Sequence, residues 1–250
     1  MPRAAQPLVS PESSRPRPIP LEDTESRSWG DRCRRTLVAL VIRPAQSFRV
    51  CPEPIAHGRV MRFLATLRVP PWIVLLVILG VRQLTATEGT GVPMRPIYAI
   101  VEPSLVRVLS LWILLMIPVG LPLLYFVEGL LAHIGVALTG GASRSIGASM
   151  RACGYVLGLV LVVVGLVDIP LYLGHMRGMI YAQVLGGLAV VHWGVLGVAL
   201  AKTHQISILR GWLVAVLPTL LFVGVTAVRA MLELVEVPGL VVPGGEYMVP

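Results

Sequence analysis

The fold is decided by residues 111–170, LWILLMIPVGLPLLYFVEGLLAHIGVALTGGASRSIGASMRACGYVLGLVLVVVGLVDIP. This stretch contains most of two long apolar segments, residues 105–138 and residues 152–172, with a polar link at residues 139–145. The two segments together hold only four ionisable side chains. Because about 20 apolar residues of helix cross a hydrocarbon core of about 30 Å, both segments are predicted to span a membrane.

The composition of the whole chain agrees with that prediction. Of the 250 residues, 55% are hydrophobic and 14% are charged, and the mean hydropathy is +0.79. Soluble domains hold about 25% charged residues, so an ordinary water-soluble fold is excluded. The sequence therefore predicts an all-α integral membrane protein, with the lipid bilayer as its surroundings.

The charge is +8, and twelve of the 21 basic residues precede Val69. A nucleic-acid reader needs its basic residues on a folded face. Here they lie in a Pro-rich tail and beside apolar segments, so we expect them to meet anionic lipid and not nucleic acid.

Motifs of known chemistry are not found in the sequence. The three cysteines, Cys33, Cys51 and Cys153, have no C-x-x-C spacing, which gives no disulfide framework or zinc site. Neither H-E-x-x-H, nor a P-loop, nor a dinucleotide fingerprint is present. We therefore predict no catalytic, cofactor-binding or metal-binding residue, and a protein that is not an enzyme.

Four regions follow along the chain. Residues 1–28 are rich in Pro, Ser and charge and are predicted to be disordered. Residues 29–68 are predicted to form amphipathic helices in the membrane interface, with packing on the spans as the alternative for the first of them. Residues 69–230 form the five-span membrane domain, and residues 231–250 form a short external tail.

The spans are expected at about 69–81, 105–138, 152–172, 180–201 and 209–228. The first is short, so either Arg68 and Arg82 reach the interface from its two ends, or the preceding turn enters the membrane. The second is too long for a straight crossing, so Pro118 and Pro122 are expected to kink it. Residues 82–102 are expected to form an external loop.

Gly154, Gly158 and Gly165 lie on one face of the third span, and the first two form a G-x-x-x-G pattern. Such a face allows close helix contact. The pattern leaves two interpretations open, a contact within the subunit and a seam between two copies.

The orientation follows from the basic residues of the amino-terminal region and of two polar links. These are Arg144 and Arg151 between the second and third spans, and Lys202 and Arg210 between the fourth and fifth. The positive-inside rule then places the amino terminus in the cytoplasm. Arginine outnumbers lysine 20 to 1, which is typical of a GC-rich bacterial genome, so a bacterial cytoplasmic membrane is expected.

Ionisable residues within spans are candidate functional residues, since a charge at mid-bilayer costs about 3 kcal/mol. By their positions in the spans, Glu128, His133 and Asp168 are expected to reach interfacial water, whereas His192 is expected near mid-membrane. The alternative is a polar cavity or ion path through these residues. A serine nucleophile at Ser143 or Ser149 is a further, remote hypothesis, because neither has the glycine that should follow it.

Several residues resemble one known family, the Ypt-interacting protein (Yip) domain family. They are Arg43, Pro44, Phe48 and Arg49, then His133, Gly140, Gly141 and Tyr155, then Gly197 and the link Lys202, Thr203, His204, Gln205, Ile206 and Ser207. The resemblance covers residues 36–230. It implies a five-span protein with a cytoplasmic amino terminus, which in eukaryotes associates with Rab-type GTPases in Golgi traffic.

Two functions are consistent with these observations. The first is a non-enzymatic Yip-type membrane protein that organises membrane or recruits a partner, with a protein partner or a second copy held through glycine faces. The second is a small permease or transporter component using the intramembrane acidic and histidine residues.

Overall fold

The computed structural model describes residues 18–23, 28–87, 115–173, 175–176 and 178–234. These residues form helices and turns, and no strand occurs among them. The helices are α1 (Trp29–Ile42), α2 (Pro44–Ser47), α3 (His57–Thr87), a π-helical turn (Met116–Gly120) leading into α4 (Leu121–Leu138), α5 (Ile146–Tyr172), α6 (Gly178–His204) and α7 (Ile208–Leu234).

Within the described ranges, five helices are long and apolar enough to cross a membrane. They are α3, α4 with its π-helical turn, α5, α6 and α7. This finding confirms the all-helical class and the number of candidate spans, and it is consistent with an integral membrane protein.

Helix α5 is the centre of the bundle. It is the most buried of the five long helices and packs against α3, α4 and α6. Helix α7 packs against α6 and α4. The second apolar segment of the stretch that decides the fold is therefore the one around which the other helices assemble.

The glycine face of α5 is a contact inside the chain. A β-carbon added at Gly154, Gly158 or Gly165 would overlap a side chain of α3. The α3 side chains in question are Val60, Phe63 and Pro71. Of the two interpretations of this face, the structure thus contains the one within the subunit.

Helix α3 differs from the predicted arrangement. Instead of an interfacial helix ending at residue 68 and a separate span, it runs without interruption through Pro70 and Pro71. The ring of Pro71 packs where Gly165 of α5 has no side chain. Close packing at that point accommodates a residue that cannot donate a backbone hydrogen bond.

The π-helical turn at Met116–Gly120 contains Pro118. A proline has no backbone N–H to donate, and a π-helical turn is one way in which a helix accommodates the missing hydrogen bond. The irregularity therefore falls where the sequence predicts a kink.

The amino-terminal region is more ordered than predicted at residues 18–23. Ile19 and Leu21 are fully buried there, and the Leu21 N–H donates to Thr36 Oγ1 at 3.0 Å. Helix α1 buries Cys33 and Leu40 against the bundle. The alternative interpretation, in which this helix packs on the other helices, therefore holds for one side of α1.

Several predictions lie outside the described residues. They concern the disordered tail at residues 1–17 and 24–27, the external loop from residue 88 onwards, the start of the second span before residue 115, and the carboxyl-terminal tail from residue 235.

Candidate functional site

Among the described residues, most of the candidate residues from the sequence fall into three buried clusters and one open recess. Phe48 and Tyr155 belong to the first cluster, Asp168 to the second, and Glu128 with His192 to the third. Gly140, Gly141, His204 and Ser207 line the recess, and His133 connects to it through Ser149. Arg49, in contrast, is exposed and belongs to none of these groups.

The first cluster is organised by Arg151, which is fully buried near the start of α5. Its Nη2 donates to Glu22 Oε2 at 2.6 Å and to the Val50 carbonyl at 3.1 Å. The guanidinium also lies over the rings of Phe48 and Tyr155, at 6.0 and 5.6 Å from their centroids. Phe48 and Tyr155, two of the residues on which the family resemblance is based, therefore place their aromatic rings next to a buried cation.

Glu22 comes from the segment that was predicted to be disordered. Besides Arg151, it accepts a hydrogen bond from the Tyr155 hydroxyl at 3.2 Å. Its backbone carbonyl accepts from Arg59 Nη1 at 3.2 Å. Sequence reasoning missed Glu22 because its partner lies 129 residues further along the chain.

The second cluster joins three helices at Asp168. Arg68 Nη2 donates to Asp168 Oδ2 at 2.8 Å, and the Tyr181 hydroxyl donates to Oδ1 at 2.8 Å. Arg68 is 2% exposed. Of the two alternatives for the short first span, the one in which Arg68 reaches the interface is therefore wrong, because Asp168 offers Arg68 a partner inside the bundle.

The third cluster lies between α4, α6 and α7. His192 Nε2 is 2.7 Å from Glu128 Oε1, and His192 Nδ1 is 3.0 Å from Thr219 Oγ1. The imidazole stacks on Phe222 with the ring centroids 5.0 Å apart. The Glu128 contact is close but does not lie in the direction of a hydrogen bond, so neither carboxylate oxygen is satisfied by a described residue.

These positions correct the expected access to water. Glu128 and Asp168 are both 0% exposed and face protein partners, although both were expected to reach interfacial water. The expectation was based on how far each residue lies from the end of its helix. It is wrong because the exposure of a side chain also depends on the neighbouring helices. His133, by comparison, is half-buried.

A chain of contacts links His133 to His204. His133 Nδ1 lies 3.2 Å from Ser149 Oγ, and Ser149 Oγ lies 2.8 Å from His204 Nε2. The structure thus brings a histidine to Ser149, which sequence reasoning did not place. Ser149 is nevertheless 0% exposed, so no substrate carbonyl can approach its hydroxyl in this arrangement.

The open recess, about 580 Å³ in volume, forms where the two polar links meet. Its walls are Gly140, Gly141, Ala142, Ser143, His204, Gln205, Ile206, Ser207 and Arg210. It therefore contains the part of the sequence on which the family resemblance is most specific.

Two helix-ending turns of the same type build this recess. At the end of α4, Gly140 has φ +70°, and the Gly141 N–H donates to the Val136 carbonyl at 2.9 Å. At the end of α6, Gln205 has φ +59°, and the Ile206 N–H donates to the Ala201 carbonyl at 3.0 Å. Both are Schellman turns, which satisfy the last carbonyl groups of a helix.

The two turns dock on each other. A β-carbon at Gly141 would lie 2.5 Å from Ile206 Cγ2, so only glycine permits the approach. Ser143 Oγ also donates to the His204 carbonyl at 2.6 Å. The roles of Gly140, Gly141 and Ile206 are thus to close helices and to hold two links together.

The charge around the recess is unbalanced. Neither residues 129–167 nor residues 169–232 contain an acidic side chain. Arg144 lies in the first link and Arg210 in the first turn of α7, and among the described residues neither forms a salt bridge. The wall of the recess therefore includes the cation Arg210 and no acidic side chain.

No group of three or more His, Cys, Asp or Glu side chains that could hold a metal ion is found in the described part of the chain. In comparisons of the chain with protein-family models, curated proteins and solved structures, no match is found.

Proposed function

We propose that this chain is a non-enzymatic membrane protein of the Yip-domain type, which recruits a partner through the recess between its two polar links. The single observation that carries the proposal is the docking of these links. Two turns 65 residues apart are held together by the Ser143 hydrogen bond and the Gly141–Ile206 contact, and they leave an open recess between them. Such rigid, open surfaces are suited to recognition.

The proposal includes an orientation. The amino terminus, α1 and the recess face the cytoplasm of a bacterial cell, where the positive-inside rule places the basic links. Helix α1 then lies at the membrane surface. In support, Val38, Val41 and Ile42 are exposed on the side of α1 that faces away from the bundle, and Arg34 and Arg35 are exposed beside them.

The test is photo-crosslinking in cells. A photoreactive residue at Ala142, an exposed residue of the recess wall, should capture one recurring protein. The matched control is Val190, which is exposed on α6 outside the recess. No adduct from Ala142, or the same adduct from both positions, would contradict partner recruitment through the recess.

A permease or transporter component is the second candidate, and the Glu128–His192 contact favours it. A buried carboxylate with unsatisfied oxygens is unusual in a structural role and common at functional sites. This candidate requires proton- or substrate-dependent flux in liposomes that falls in Glu128→Gln and Asp168→Asn. Unchanged flux in both variants would remove it.

A further inference from the structure

We propose that the groove between α1, α3 and α5 is a binding site for an acidic peptide of a partner protein, and that residues 18–23 occupy it as an internal ligand. The described residues of this groove differ from those of the recess between the polar links, so the inference goes beyond the proposed function. It rests on the way in which the bundle holds residues 18–23.

Residues 18–23 are bound as a separate peptide would be. Ile19 and Leu21 are fully buried against the bundle, whereas Pro18 is exposed. The segment forms a turn, in which the Glu22 N–H donates to the Ile19 carbonyl at 2.8 Å. Other hydrogen bonds join it to side chains of α1, α3 and α5, and it is part of none of these helices. Its position therefore depends on the groove.

The backbone of the segment is held at three points. The Leu21 N–H donates to Thr36 Oγ1 of α1 at 3.0 Å. Arg59 Nη1 of α3 donates to the Glu22 carbonyl at 3.2 Å, and Arg32 Nη1 of α1 donates to the following carbonyl at 3.3 Å. Contacts with main-chain atoms are available to a peptide of any sequence, so the choice of peptide depends on its side chains.

The acidic side chain determines which peptide fits. Arg151 Nε and Nη2 donate to the two carboxylate oxygens of Glu22, and the Tyr155 hydroxyl donates to one of them at 3.2 Å. Such a bidentate contact matches a carboxylate in charge and in shape. The Arg151 side chain is 1% exposed, so a groove without an acid would leave its charge buried and uncompensated. A peptide that displaces residues 18–23 must therefore carry a carboxylate at the same place.

Two apolar side chains complete the pattern that the groove recognises. Ile19 and Leu21 lie three and one positions before Glu22, and both are fully buried. The groove therefore fits a segment in which an acidic residue follows apolar residues at these two positions. Because residues 18–23 belong to the same chain, they compete with a partner peptide at a high effective concentration. The internal ligand thus controls access to the groove.

The experiment measures the binding of two synthetic peptides to the full chain, purified in a neutral maltoside detergent. The acidic peptide has the sequence of residues 17–24, and the matched peptide carries Glu22→Gln. Both have a fluorescent label, and binding is followed by fluorescence anisotropy. Three proteins are compared: wild type, Glu22→Gln, and Glu53→Gln as the control at an exposed position.

We expect the acidic peptide to bind Glu22→Gln saturably, because this variant keeps the groove and weakens the internal ligand. Its affinity for wild type and Glu53→Gln should be at least about tenfold lower, since the intact segment competes. The matched peptide should bind Glu22→Gln at least about tenfold more weakly than the acidic one. No saturable binding to Glu22→Gln, equal affinity of the two peptides, or equal affinity of the three proteins overturns the inference.

A second variant keeps the inference testable if Glu22→Gln does not fold. Leu21→Ala removes an apolar anchor of the internal ligand and leaves the Arg151–Glu22 ion pair in place. The acidic peptide retains the leucine, so it should bind Leu21→Ala more tightly than wild type. Equal affinity for Leu21→Ala and wild type would overturn the exchange.

The alkylation of Cys33 distinguishes a partner protein from a second copy of the chain. Cys33 belongs to the same buried cluster as Ile19 and Leu21, so the acidic peptide should slow its alkylation in Glu22→Gln. In a further arm, 15N-labelled Glu22→Gln is mixed with unlabelled wild type, and mass spectrometry follows the labelled Cys33. An unchanged rate in the mixture supports a partner as the source of the peptide. A slower rate means that a second copy supplies the segment, which overturns the partner.

Discussion

Two buried carboxylates of this bundle have very different surroundings. Glu22 accepts hydrogen bonds from Arg151 and Tyr155, and the cation lies over aromatic rings. Glu128 touches His192 at 2.7 Å, yet neither of its oxygens accepts an aligned hydrogen bond from a described residue. The first arrangement is typical of a structural ion pair, whereas buried oxygens without a hydrogen-bond partner, as in the second, are rare in native structures.

The comparison separates packing from function. A buried pair with satisfied atoms is costly to break, because removal of one partner leaves an uncompensated charge. A carboxylate whose oxygens already lack hydrogen-bond partners loses fewer hydrogen bonds when it is replaced by an amide. The same change of carboxylate to amide should therefore give different results at the two positions.

The largest expected effect is that of Glu22→Gln. It leaves the Arg151 charge buried without its carboxylate, so the free energy of unfolding should fall by about 3–5 kcal/mol. Denaturant unfolding of the purified protein in detergent measures this change. The control is Glu53→Gln at an exposed position, and equal stability of the two variants would contradict the structural role of Glu22.

An intermediate effect is expected at the third buried carboxylate, Asp168. Tyr181→Phe removes a hydrogen bond to a charged oxygen, which should lower the free energy of unfolding by about 1.5–3 kcal/mol. The same unfolding measurement applies. A loss as large as that of Glu22→Gln would mean that the clusters do not differ in the way described.

A small effect on stability is expected for Glu128→Gln. Because the carboxylate oxygens are unsatisfied, the free energy of unfolding should change by no more than about 1 kcal/mol. A loss of several kcal/mol would place Glu128 with Glu22 as a structural residue and would weaken the permease candidate.

The smallest effect concerns Cys33, which α1 buries against the bundle. Burial raises the pKa of this thiol, with the Arg32 charge opposing the rise, so little reactive thiolate is present near neutral pH. Cys33 should be alkylated at least about tenfold more slowly than the partly exposed Cys51. Mass spectrometry of the alkylated peptides measures both rates.

The alkylation also reports on docking of the amino-terminal segment. Glu22→Gln should speed the reaction of Cys33 by loosening that segment, whereas Glu128→Gln should not. Acceleration in both variants would remove the distinction between the two carboxylates.

Much of the fold could be predicted because the length and hydropathy of an apolar segment depend only on residues close together in the sequence. The five described helices that are long and apolar enough to cross a membrane, and the irregular turn near Pro118, can be read from residues close in sequence. The continuous α3 was missed, since two adjacent prolines usually separate helices. Its Pro71 is accommodated by Gly165, which lies 94 positions away.

The candidate site was only partly predictable. Gly140, Gly141 and His204 were singled out through the family resemblance, but their contacts were not foreseen. Glu22 was assigned to a disordered tail because its composition is polar, and burial of Ile19 and Leu21 beside it depends on a groove that other helices form.

By itself, the sequence determined how many helices are apolar enough to cross a membrane and where polar links interrupt them. Length and hydropathy act within each segment, so they need no knowledge of neighbours. Only the tertiary structure decided which charges pair and that the two links enclose a recess. Those outcomes depend on the close approach of two parts of the backbone. Glycines such as Gly141 allow that approach, and the contact is then made by a residue distant in sequence, such as Ile206.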